Sequence, residues 1–192
     1  MMQSQHSIGS ATVWLTSVFV AIVLISASCQ KKVSKTDNMV AVTITVTQTS
    51  SYCGGAAPPD YVLQELMTPR PLSGHAVFIR EGDDNDISKP VIADGVSDAI
   101  GQIRLNLRPG NYCLVFGNKK DRGFADEMIS KFSAPSASYS AVDRACLEAW
   151  LLTSELVFEV NQGGPQNFTV NYHSHCSWDQ WPCVSYFGPL PP

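Results

Sequence analysis

No Lys, Arg, Asp or Glu occurs between Met1 and Ser28, so the whole of the chain's formal charge lies beyond that stretch. No apolar run there reaches the ~20 residues that a membrane-spanning helix needs. The longest, ATVWLTSVFVAIVLI from Ala11 to Ile25, has 15. A polytopic membrane protein is thereby excluded. A basic excess is missing as well: 13 Lys and Arg stand against 17 Asp and Glu, for a net charge of -4. Without a basic stripe to displace phosphate counterions the chain offers no nucleic-acid surface. With only 16% charged and 44% hydrophobic residues it is no disordered acidic tail either. What these absences leave, at 192 residues, is one globular domain with appendages.

What is present at the amino end reads as an address. The apolar run is followed by the small residues Ser26, Ala27 and Ser28 and then Cys29, a signal h-region ending at a processing site. Ser28-Cys29 resembles the lipobox of bacterial lipoproteins. That resemblance implies that residues 1–28 are a signal peptide cut before Cys29, whose thiol and new amino terminus then carry acyl chains such as palmitate. Several such chains, at ~0.8 kcal/mol per buried methylene, hold a protein on a membrane almost permanently. Ser26 stands where the family prefers Leu, and MMQSQHSIGS has no Lys or Arg; a plain secretory signal with an incidental cysteine, or an uncleaved anchor, is the alternative. Residues 29–39, polar and without periodicity, form the expected lipidated tether. Gln30 replaces the Asp that retains such proteins in the inner membrane, which implies a Gram-negative outer-membrane lipoprotein facing the periplasm.

The rest reads as short strands with one helical insertion. In VAVTITVTQ, Val40, Val42, Ile44 and Val46 share one face and the threonines the other, the pattern of a half-buried strand. His75 to Arg80, Pro90 to Val96 and Gln102 to Leu107 follow. Arg108-Pro109-Gly110-Asn111 then leads into Tyr112 to Phe116, and Pro and Gly at the two central positions predict a type II hairpin turn. Between residues 119 and 153 the period becomes helical, in DRGFADEMISKF and AVDRACLEAWLL. Strand character returns at Leu156 to Val160 and Asn167 to Tyr172. The expected domain is therefore 40–173, with a Cys-, aromatic- and Pro-rich tail at 174–192 packed on it.

Pro71-Leu72-Ser73-Gly74-His75-Ala76-Val77-Phe78-Ile79, Ser97-Asp98-Ala99-Ile100-Gly101-Gln102-Ile103 and Leu107-Arg108-Pro109-Gly110-Asn111-Tyr112 resemble the motifs of the carboxypeptidase regulatory-like domain, a transthyretin-like sandwich related to collagen-adhesin B-type repeats. The resemblance covers residues 40 to 117 and implies a mostly β, antiparallel, Ig-like β-sandwich, here with two helices inserted before the last two strands. In it Asp98 and Gly101 shape one tight turn and Pro109-Gly110 the next. Adhesin repeats often carry an isopeptide from a first-strand Lys; VAVTITVTQ has none, so no isopeptide is expected. The family brings no activity, cofactor or catalytic residue.

Cys53, Cys113, Cys146, Cys176 and Cys183 remain, an odd number, and export makes disulfides the default for four of them. If strands alternate up and down, Cys53 and the last strand's Cys176 and Cys183 meet at one end and Cys113 lies at the other. This predicts Cys113 with Cys146, and Cys53 with Cys176 or Cys183. His173, His175 and Cys176 are the densest group of soft donors, a candidate zinc or copper site, although an oxidised Cys176 would remove it. Glu81-Gly82-Asp83-Asp84-Asn85-Asp86 has the charge for calcium but not the Gly and distal Glu of an EF-hand, and reads as a solvated loop. Trp178, Trp181, Tyr186 and Phe187 either tie the tail over an open sheet edge or form a platform for glycan or peptide. No Ser or Cys sits in a nucleophile context. The function expected is a non-catalytic, lipid-anchored envelope module with a structural or interaction role and a protein or glycan partner.

Overall fold

The computed structural model describes residues 38–189; the expected signal peptide and Cys29 lie outside the described residues. In chain order the elements are β1 (Val40–Ser50), α1 (Asp60–Met67), β2 (Arg70–Pro71), β3 (Ala76–Glu81), β4 (Ala93–Val96), β5 (Gln102–Leu107), β6 (Gly110–Phe116), α2 (Gly123–Lys131), α3 (Arg144–Leu152), β7 (Leu156–Val160) and β8 (Gln166–Ser174). None of the described helices is long and apolar enough to cross a membrane.

Alternation makes β1 the centre of the first sheet. Its Val40, Val42, Ile44 and Val46 all turn inward, and it pairs with β8, β5 and β2. The second sheet runs β4-β3-β6-β7. Between them Ile103, Leu107 and Val170 of the first sheet meet Val77, Ile79, Leu114, Phe116, Phe158 and Val160 of the second, the core of a β-sandwich. Every pairing is antiparallel except that of β1 with β8, which runs parallel from Val42 opposite Gln166 to Ser50 opposite Ser174.

The Pro109-Gly110 turn corrects one expectation. β5 pairs with β1 in one sheet and β6 with β3 and β7 in the other, so the chain crosses between sheets instead of closing a hairpin. Gly110, at φ 159°, already belongs to β6 and lacks the φ of about +80° that a type II turn requires. Turn chemistry specifies a reversal, not whether the reversed strands bond to each other or face each other across a core. Tyr112, buried there, donates its hydroxyl to the Arg108 carbonyl at 2.8 Å and pins the crossing. The Asp98 turn is as expected: its carboxylate accepts from the Ile100 and Gln102 amides at 3.0 and 2.8 Å. Gly101, at φ 77°, lies so close that a Cβ would meet the Val46 carbonyl at 2.5 Å.

α2 and α3 form the expected insertion between β6 and β7. Ala125, Met128, Phe132, Leu147 and Leu151 build a second, smaller core. The tail packs on this helical cap instead of over a sheet edge. Val184 enters the cap core, Tyr186 bridges Tyr139, and Ser185 and Ser138 carbonyls accept from Ser140 and Phe187 amides at 2.9 Å each. Trp178 and Tyr186 lie 6.5 Å apart between ring centres, while Phe187 stays exposed. The sequence showed neither β2 nor α1. The latter is a single eight-residue helix with no buried residue, too short for its period to stand out.

The disulfides are Cys53–Cys176 and Cys146–Cys183, with Cα atoms 5.5 and 5.7 Å apart. The first is one of the two expected partners: parallel β1 and β8 deliver both cysteines to the same end. The Cys113–Cys146 pairing is wrong. α3 starts at Arg144, so Cys146 sits in its first turn, where Asp143 caps its amide at 3.1 Å, and faces the tail. Cys113 is free, buried beneath the acidic loop, with its Sγ 3.2 Å from the Asp84 carbonyl.

Candidate functional site

A cleft of about 1100 Å³ opens between the sandwich and the cap. The sandwich wall comes from three strand ends: His75 and Ala76 before and in β3, Phe116 closing β6, and Asn171 to Ser174 of β8 with His175 beyond it. The cap wall comes from Phe124 on α2, Ala149 and Trp150 on α3, and the tail from Asp179 to Cys183.

A buried polar knot sets the distance between these walls. Asn85, from the loop expected to be solvated, is fully buried. Its side-chain amide donates to the Lys119 and Leu151 carbonyls at 2.8 Å each and accepts from Arg80 at 2.7 Å. Arg80 also donates to the Lys89 and Lys120 carbonyls, at 3.1 and 2.6 Å. Lys119, likewise buried, donates to Glu155 at 2.8 Å and to the Thr153 carbonyl at 3.0 Å, with its ammonium 4.8 Å from the centre of the Trp150 ring. No buried side-chain polar atom among the described residues lacks a partner, which is the condition for such a network to rigidify a junction.

The rings are held by one another. His75 lies 4.7 Å from both Phe116 and Tyr172, and burial there pushes its imidazole below the ordinary histidine range. Phe124 packs on Trp150 and Trp181 at 5.7 and 6.4 Å, and the Lys131 ammonium sits 3.7 Å over Trp181. Several polar groups on the cleft lining, by contrast, have no hydrogen-bond partner among the described residues: the Asn118 amide, the Tyr172 hydroxyl, the His75 and His175 ring nitrogens, the Asp179 carboxylate and the Trp150 and Trp181 indole N–H groups.

The candidate metal cluster does not assemble. The Cys176 sulfur is spent in a disulfide, and both ring nitrogens of His173 face hydroxyls, Nδ1 at 2.9 Å from Thr49 and Nε2 at 2.9 Å from Ser51. His175 remains beside His173, rings 4.8 Å apart. No group of three or more metal-ligating side chains converges among the described residues. Ser51 beside His173 has the spacing of a nucleophile and its base, but the other ring nitrogen meets the Thr49 hydroxyl, where a catalytic triad places a carboxylate. Thr47 donates to the Asn171 oxygen at 3.0 Å, and the Asn171 amide donates to Thr49 at 2.9 Å. The Thr49 hydroxyl, with one proton and two lone pairs, takes the Asn171 proton and still has both a proton to give to Nδ1 and a lone pair to accept from it. Cys113 is buried, and that burial pushes its thiol up, away from the thiolate a nucleophile needs.

Of the four tail aromatics singled out in the sequence, Trp181 lines the cleft. His75, Asn118, Trp150 and Tyr172 were not singled out; they come from distant segments, each ordinary in its local pattern. No family model matches the chain, and no curated protein does. Solved structures similar to it include the TIE protein of Bacillus anthracis, at 12% identity and TM-score 0.33 over 70% of this chain and 17% of that one. The shaft pilin SpaA of Lactobacillus rhamnosus GG matches at 14% identity and TM-score 0.30, over 71% of this chain and 48% of the pilin chain. The pilin's N-terminal domain alone matches at 14% and 0.33, over 69% and 92%. This chain thus spans a sixth to a half of the larger two.

Proposed function

We propose that this protein is a non-catalytic interaction module of a bacterial cell envelope, held on the periplasmic face of the outer membrane by lipid on Cys29. The observation that carries the interaction role is the cleft: a rigid junction lined by polar groups and rings. Two disulfides suit an exported domain in an oxidising compartment. The anchor rests on the lipobox-like Ser28-Cys29 and the polar stretch that follows it.

Each half of the proposal has its own test. Globomycin, which blocks lipoprotein signal cleavage, should make a precursor accumulate in the native host, and Cys29→Ser should release the protein from membranes; unchanged processing and retention would remove the anchor. A photo-cross-linking residue in place of Asn118 should give a discrete adduct in whole cells. No adduct from that position overturns the cleft as an interaction site, whatever the anchor does.

A further inference from the structure

We infer that the outer edge of β8 docks a second copy of this chain, the two copies of the strand pairing antiparallel about a two-fold axis at Val170. This goes beyond the cleft reading, since it concerns a sheet edge that only borders the cleft, at Asn171 to Ser174.

The edge is open. β8 bonds to β1 on one side and, among the described residues, to no strand on the other. The Ser174 carbonyl accepts from the Ser51 amide, at the end of β1, so Ser174 faces β1 with its main-chain groups. Those of Tyr172, Val170, Phe168 and Gln166, at alternate positions, do the same, and those of Asn167, Thr169, Asn171 and His173 turn outward. Among the described residues these outward N–H and C=O groups make no hydrogen bond.

The edge is also unguarded. Sheets deter incoming strands with short edges, charge and proline. The other free edges have these devices: β2 is Arg70-Pro71, β4 is four residues long and contains Asp94, β5 carries Arg104 and β7 carries Glu159. β8, QNFTVNYHS, runs nine residues with no Lys, Arg, Asp, Glu or Pro.

What selects a second copy over another strand is the symmetry of β8 about its own centre. Laid antiparallel on itself in full overlap, Gln166–Ser174 sets Val170 on Val170, Phe168 opposite Tyr172, Asn167 opposite His173 and Thr169 opposite Asn171. The outward-facing residues thereby meet one another, and each such pair exchanges both of its N–H···O bonds. A slip of one residue would set outward groups against residues whose main chain is already spent on β1. Phe168 and Tyr172, half-buried against the sandwich core, gain a cross-strand aromatic partner. No like charges meet, because the strand has none. The contact is isologous and closes at two copies, so no β8 edge is left over.

A lone strand pair is a small interface, at or below the ~1,200 Å² low end of specific complexes, so the test captures it covalently, with the full-length chain in its native host. A photo-cross-linking residue in place of the exposed Asn167 should give an adduct of two chains, mapping to the partner's β8 around His173. In that background Thr169→Lys with Asn171→Lys sets ammonium groups directly opposite one another across the axis and should lower the adduct several-fold. Co-expression with a tagged chain carrying Thr169→Glu and Asn171→Glu should restore it as a mixed adduct, which a strand that had merely lost its fold would not do. An adduct with a different polypeptide, a two-chain adduct mapping elsewhere, or no adduct overturns the inference. So does a yield untouched by the lysines, or one that the glutamates do not restore. The Asn118 cross-link is read separately, so the cleft stands or falls without this result.

Discussion

Asn85 shows how much a single amide can hold. It joins a sandwich loop to the chain after β6 and to the end of α3, and its removal would leave an Arg80 donor and two carbonyls without their partner in a dry place. Leaving buried groups unsatisfied costs about 1–3 kcal/mol each, so Asn85→Ala should destabilise the protein by at least about 2 kcal/mol in a denaturant titration. Asn85 stands among Asp83, Asp84 and Asp86, a setting that reads as solvated, and nothing local marks it as buried; the partners that bury it are 34 and 66 residues away. Tyr112→Phe deletes one hydrogen bond at the sheet crossing and should cost about 1 kcal/mol. His75 gives a pH dependence. Burial lowers its folded pKa below the 6.5 of the open chain, so the unfolded state binds more protons as pH falls. The stability conferred by keeping it neutral is present above that value and is lost as pH drops through it; His75→Gln should flatten the melting temperature between about pH 7.5 and 5 relative to the parent. Cys113 should resist a thiol reagent in the folded protein and react in denaturant, the other four described cysteines being bonded; peptide mapping of the labelled protein checks this.

At the scale of elements, periodicity made most of the strands and both inserted helices legible, because one face of each is buried and the other is not. β1 and β5 needed only their alternation. What periodicity does not encode is partnership: whether β5 and β6 pair or face each other, and which cysteine α3 turns toward which neighbour. The two disulfides should separate by what they restrain. Cys53–Cys176 closes a separation of 123 residues and Cys146–Cys183 one of 37, worth about 5 and about 4 kcal/mol in the chain-entropy view. Replacing the first pair by serine should lower the stability of the whole sandwich. Replacing the second should chiefly loosen the cap and tail, seen as faster amide exchange in α3 and around Val184 with β1 and β6 still protected.

For the whole molecule, the candidate site was the least legible part. The sequence pointed at tail aromatics and at a histidine pair, yet the cleft exists only because two separate cores, sandwich and cap, are joined at a fixed distance by the polar knot. The parallel pairing of β1 with β8 bears on how this chain comes to be folded at all. The first strand's partner lies more than 120 residues further along, as the Thr49 to His173 contact shows. A chain emerging amino end first therefore carries β1 with its longest edge unfilled until synthesis is nearly finished, and high contact order of this kind puts folding in the range of milliseconds to seconds. For a protein read as exported, late closure is an advantage: the polypeptide stays threadable during translocation, and the sandwich locks once the last strand and its cysteine have crossed.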